Sequence, residues 1–146
     1  AWHGIEATRL LEAPLSVLCV PEIVRQLHSP GDLLQQTLLR SYRTDEWPEW
    51  FQAAGLATHA APPQSIVFDS SLAMMEAALQ GVGVALAPPL MFARQLASES
   101  IRRPFATEVS TGSYWLTRLQ SRGETSAMLA FRGWLLEMAA VEARGR

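Results

Sequence analysis

The sequence predicts an α/β domain built on a largely parallel sheet. Short apolar runs of strand length alternate with segments of helical periodicity, and Gly and Pro mark the joints between them. One stretch, Gln64 to Pro89, spells out strand, helix cap, helix, glycine stop and buried strand in succession. At 146 residues the chain has one domain's worth of sequence, and 49% hydrophobic with 18% charged residues describes a globular chain.

Two extended runs come first, Thr8 to Leu11 and Leu15 to Val20, separated by Pro14, which blocks helix continuation. Pro21 opens a helix with Ile23, Val24 and Leu27 on one face. After Ser29-Pro30-Gly31 a second short helix carries Leu33 and Leu34. Thr37 to Ser41 reads as a strand. Asp45 to Ala54 reads as a helix with Pro48 in its first turn, Gly55 as its left-handed stop, and Trp47, Trp50 and Phe51 as its apolar side.

The strand Ser65 to Phe68 runs into Asp69-Ser70-Ser71, whose side-chain oxygens suit the unpaired first-turn amides of a helix over Leu72 to Gln80. Gly81 stops that helix, and Val84 to Ala87 is a buried strand. Pro88 and Pro89 begin a helix reaching Leu96. Ile101 to Phe105 is expected as a strand near an edge, because Pro104 interrupts it.

Ser113 to Leu119 is a strand rich in aromatic and β-branched residues, and Ser121-Arg122-Gly123-Glu124 has the spacing of a capping box before a long last helix. Met128, Phe131, Leu135, Met138 and Val141 recur on that helix at helical spacing. So much apolar surface requires a sheet beneath it. Few strands are left to supply one, so part of a lobe is expected to be missing.

Composition removes several function classes. A net charge of −2 does not suit a phosphate-gripping surface. All twelve cationic residues are Arg, which reads as codon bias. Cys19 is the single cysteine, so an internal disulfide and a multi-cysteine metal site are both ruled out, and a reducing, cytoplasmic setting is expected. No apolar run approaches a membrane span.

His3, His28, His59 and Cys19 could nominally do acid-base or nucleophilic work, but no supporting motif surrounds them: there is no Gly-x-Ser-x-Gly elbow, His-Glu-x-x-His or phosphate-binding loop. His28 and His59 read as surface residues and Cys19 as a small buried one. Gly81 and Gly83 follow their helix, the wrong order for a dinucleotide cradle. The reading is therefore non-enzymatic, with no metal and no cofactor.

Five motifs carry a resemblance: AWHG at Ala1 to Gly4, LLRSYR at Leu38 to Arg43, FDSS at Phe68 to Ser71, GVGVALAP at Gly81 to Pro88 and SYWLTRLQSR at Ser113 to Arg122. Together they resemble the effector-binding region of LysR-type transcription regulators over nearly the whole chain, and within that family the subgroup governing an inducible chromosomal β-lactamase. GVGVALAP points to the wider family; LRSYR with DEW and FDSS points to the subgroup.

The resemblance implies a periplasmic-binding-protein-like fold of two α/β lobes with an effector in the cleft. Residues 14–110 are then lobe II, expected to be complete. Residues 1–13 and 111–146 are the crossing strands and the C-terminal part of a truncated lobe I, with Thr8 to Ala13 and Gly112 to Leu119 as the crossings. The N-terminal winged helix-turn-helix, a linker helix and the first lobe I strands are expected to be absent.

The resemblance further implies muropeptide effectors, with anhydromuramyl peptides as inducers and UDP-linked muramyl pentapeptide as the repressing ligand. It also implies promoter DNA as a partner only through the absent helix-turn-helix, and a homo-oligomer. It places ligand contacts at Ser70, Ser71 and Tyr114, with Ser113, Arg40 and Tyr42 behind them. The residues alone read more plainly: Ser70 and Ser71 as caps and Tyr114 as a core aromatic, while for Arg43 a solvated charge is an equal alternative to a contact. The runner-up reading is a solute-binding-protein-like module for a small anionic or sugar ligand, prompted by the Trp and Met content. Trp47 and Trp50 nevertheless read as core, while Trp2 and Trp115 stay open.

Overall fold

The computed structural model describes residues 3–56 and 64–144, so the readings of Trp2 and His59 lie outside the described residues. The chain divides into two compact units, Pro14–Thr111 and a second made of Ala1–Ala13 with Gly112–Arg146.

The unit Pro14–Thr111 is built on a five-stranded sheet. Its strands are β2 (Leu15–Leu18), β3 (Thr37–Arg40), β4 (Gln64–Val67), β5 (Val84–Ala87) and β6 (Glu108–Val109), in the order β4-β3-β5-β2-β6. β3 lies parallel to both β4 and β5, as expected, whereas β2 runs antiparallel to β5 and to β6. The incoming and outgoing strands of the unit thus lie side by side and necessarily oppose each other. A strand buried on both faces reads as a continuous apolar run whichever way it points.

Alternation along these strands sorts the core onto two faces. Val17, Cys19, Leu38, Val84 and Leu86 join one cluster with Trp47, Trp50 and Phe51 of α2 (Glu46–Ala53). Leu18, Leu39, Ala85 and Ala87 join the other with Met74, Met75 and Ala78 of α3 (Ser71–Leu79). Gly83 admits no other residue without movement, because a Cβ there would lie 2.2 Å from the Thr37 carbonyl oxygen. Among the described residues the unit also has the α-helices α1 (Pro21–Val24) and α4 (Ala93–Ala97).

Several boundaries differ from expectation. Ile101 to Phe105 is not a strand: only Arg102 bridges to Cys19, and pairing with β2 resumes at Glu108–Val109. Pro104 lacks a donor, and the Arg103 guanidinium takes up the carbonyls of Phe105 and Ala106, which bends this segment off the edge. The helix after Pro88 splits into a 3-10 turn, Pro89–Phe92, and α4. The second short helix is also 3-10 and begins at Pro30, closed by a capping box between Ser29 and Asp32.

In the other unit, β1 (Ile5–Glu12) pairs antiparallel with β7 (Ser113–Leu119), with an irregularity between Arg9 and Leu11. α5 (Ser126–Arg144) packs against β1. The expected capping box at Ser121 to Glu124 does not form. Thr125 Oγ1 accepts from the Met128 amide instead, and Glu124 binds Arg132 at 2.7 Å. Two Arg within reach hold Glu124 as an ion-pair partner, which leaves the threonine to cap. Phe131, Trp134, Met138 and Val141 of α5 are exposed in the chain as described.

Candidate functional site

The expected ligand residues fall into two groups, one on each unit. In Pro14–Thr111, the ends of β3 and β4 and the start of α3 converge on a pocket of about 110 Å³. It is lined by Ser41, Tyr42, Phe68, Asp69, Ser70, Ser71 and Met74. A volume this small takes one terminal group of a ligand rather than the whole of it.

The two serines have different jobs. Ser70 is the N-cap of α3, and its hydroxyl accepts from the amides of Leu72 at 3.2 Å and Ala73 at 3.5 Å. The cap belongs to Ser70, not to Asp69, which is one of the residues lining the pocket. Ser71 is the first helical residue, and its hydroxyl makes no hydrogen bond among the described residues. It therefore offers a donor and acceptor at the positive end of the helix.

Tyr42 stands 76% exposed at the pocket rim. Arg40 is not in the pocket. Its side chain reaches Ser65 Oγ at 3.4 Å and the Ser41 carbonyl at 3.2 Å, along β4. Beneath the pocket lies a polar cluster that the sequence did not reveal. Ser41 donates its hydroxyl to Glu46 at 2.8 Å and accepts from the Arg43 amide at 3.1 Å. Arg43 in turn pairs with Asp45 at 3.4 Å and Glu46 at 3.8 Å, and donates to the Thr111 carbonyl at 3.1 Å. Its side chain is exposed to 41% yet anchored at these three points.

Burial pushes the Glu46 carboxyl up, with the Ser41 hydroxyl and Arg43 opposing that push. The Arg43 guanidinium holds the exposed Asp45 carboxyl below the ordinary range. The only sequence hint of this cluster is the run of opposite charges from Arg43 to Glu46, which alone does not distinguish a surface from a buried carboxylate.

On the other unit, Ser113 and Tyr114 are successive residues of β7 and so face opposite sides of the ribbon. Ser113 pairs with Glu12, and its hydroxyl accepts from Arg9 Nε at 3.0 Å. Tyr114 pairs with Leu11 and is exposed, as is Trp115. Trp47 and Trp50 are both buried and cannot form a sugar-stacking platform. Cys19 is fully buried with its thiol pushed up to about 12, which removes it as a nucleophile. Among the described residues no group of three or more His, Cys, Asp or Glu is placed to hold a metal, and no helix is long and apolar enough to cross a membrane.

Residues 1–140 match the LysR substrate binding domain family. The chain belongs to that family. The HTH-type transcriptional activator AmpR of Pseudomonas aeruginosa is 84% identical over 146 residues, all of this chain and 49% of the relative. The chain thus spans about half the length of the curated relatives it matches.

The LysR fold is equally plain in solved structures. The effector domain of AmpR of Pseudomonas aeruginosa superposes with a TM-score of 0.95 at 84% identity, covering 100% of this chain and 71% of that one. A Citrobacter freundii effector binding domain containing three amino acid substitutions superposes with a TM-score of 0.91 at 47% identity, covering 95% and 70%. Two of its substitutions are at a serine and a tyrosine separated by the same length of chain as Ser71 and Tyr114. The architecture is that of LysR effector-binding domains, the two-lobed periplasmic-binding-protein type.

Proposed function

We propose that this chain is the effector-sensing domain of an AmpR-type transcription regulator that controls β-lactamase expression in response to cell-wall muropeptides. The observation that carries the reading is the pocket at the start of α3. There the unengaged Ser71 hydroxyl, the capped helix terminus, Asp69 and Tyr42 converge.

A muramyl peptide matches this mixture of groups. Its carboxylate suits the helix start, where a partly buried charge gains about 0.3 to 2 kcal/mol. A charge-assisted hydrogen bond from Ser71 adds about 1.5 to 3 kcal/mol. The amides and hydroxyls of the ligand suit Asp69 and Tyr42. Tyr114 is a second anchor, supported by its exposure and by the paired serine and tyrosine substitutions in the Citrobacter freundii domain. Ser113 is a weaker candidate because Arg9 engages its hydroxyl.

In the whole regulator, DNA contact belongs to an N-terminal helix-turn-helix in a cytoplasmic homo-oligomer. Anhydromuramyl peptides activate and UDP-linked muramyl pentapeptide represses, which requires that each ligand prefer a different conformation. The reading is tested by calorimetric titration of the full-length regulator with an anhydromuramyl tripeptide. Binding that Ser71→Ala and Tyr114→Phe both weaken is the expected result. No heat up to millimolar concentrations overturns it.

A further inference from the structure

The Ser41, Glu46 and Arg43 cluster forms an unbroken path from the pocket wall to the end of its unit. Ser41 lines the pocket and donates to Glu46 at 2.8 Å. Glu46, buried at 7% exposure, lies 3.8 Å from Arg43 Nε. Arg43 Nη1 donates to the carbonyl of Thr111 at 3.1 Å, and Thr111 is the last residue before the chain passes into the other unit.

Two further features single out that junction. Gly112 has φ 154, in the range that side chains disfavour, so the backbone there is shaped for a glycine. Upstream, Trp50 Nε1 holds the Thr107 carbonyl at 3.1 Å, so α2 and the turn before it grip the outgoing segment at two points. The fork of a guanidinium fixes direction as well as distance, which a lysine ammonium does not.

We propose that Arg43 is a positioning residue that couples occupancy of the Ser41-walled pocket to the Thr111–Gly112 junction. A ligand group that draws on the Ser41 hydroxyl weakens its bond to Glu46. The Glu46 carboxylate then turns further toward Arg43, and the guanidinium shifts its hold on the Thr111 carbonyl. Arg43 does not touch the ligand. The coupling rests on the proposed function for the identity of the ligand, not for its geometry.

The test is amide hydrogen exchange on the full-length regulator, wild type against Arg43→Met and Arg43→Lys, with and without anhydromuramyl tripeptide, alongside calorimetry of the same proteins. Without ligand, Arg43→Met is expected to speed exchange of the ladder amides within 108–113, which the hold on the Thr111 carbonyl steadies, about tenfold while 71–79 and 84–87 keep their rates. Arg43→Lys should recover only part of that protection. With ligand, wild type should change its exchange over 108–113, whereas Arg43→Met should not, its Kd staying within about threefold of wild type.

Unchanged exchange over 108–113 in Arg43→Met overturns the coupling, and so does a uniform rise across all segments, or loss of tripeptide binding in that variant. If the wild type binds no tripeptide, the proposed ligand is wrong, and the ligand-free comparison still decides the role of Arg43.

Discussion

Trp50 donates its indole N–H to the main-chain carbonyl of Thr107 at 3.1 Å, joining the most deeply packed side chain of α2 to the segment that enters β6. β6 is only two residues long, so its place at the sheet edge depends on what holds its approach. The ring also packs against Phe105, with centroids 5.7 Å apart. Trp50→Phe keeps most of the apolar contact and leaves the Thr107 carbonyl without its donor. The expected loss is about 1 to 3 kcal/mol, read by thermal unfolding; an unchanged midpoint would remove the bond from the list of determinants.

Ser70 and Ser71 should separate when each is replaced. Ser70→Ala removes both acceptor contacts at the head of α3 and should cost about 0.5 to 2 kcal/mol of stability. Ser71→Ala removes no bond within the described residues, so its unfolding midpoint should hold while tripeptide binding falls. Equal destabilisation by the two would mean that both are caps.

Glu46 predicts a pH signature. Its carboxyl is pushed above the ordinary value of 4.5 because burial disfavours the charge. The folded state therefore holds the proton to higher pH than the unfolded chain does. The contribution of Glu46 to stability is greatest below the ordinary value and falls as pH rises through the window above it. Glu46→Gln can still accept from Ser41 but carries no charge. Wild type should lose stability relative to Glu46→Gln as pH climbs from 4.5, and parallel curves for the two proteins would contradict the assignment.

Gly83→Ala tests the contact between the start of β5 and the start of β3. A methyl group 2.2 Å from the Thr37 oxygen must push the strands apart, since the atom it meets is main chain and not the end of a flexible side chain. Overpacking of this kind costs about 1 to 3 kcal/mol, and normal stability in the variant would show that the strands move apart freely.

The reasons some elements were readable and others were not are local. Val84 to Ala87 and Ser113 to Leu119 match their strands end to end, because a glycine before each and strong β-formers within fix both limits. Gly55 and Gly81 stop their helices with positive φ, as their positions suggested. Glu108–Val109 left no signature, since a two-residue strand has no period and is defined by pairing with Leu15 and Ser16. At the candidate site, the cap at FDSS was legible from residue type. The roles of Arg43 and Glu46 were not, because a run of charges between a strand and a helix does not reveal which carboxylate the fold turns inward.

Leu15 pairs with Val109 and Ser16 with Glu108, so the point where the chain enters the Pro14–Thr111 unit and the point where it leaves are neighbours on one sheet edge. That arrangement gives the unit the connectivity of an insert. It could be lifted out as a single continuous gene segment, or spliced into a surface loop of an unrelated host whose ends stand a strand's width apart, with little distortion to either. A cassette of this kind delivers whatever its interior experiences to two adjacent covalent attachments, which is the geometry an engineered biosensor needs.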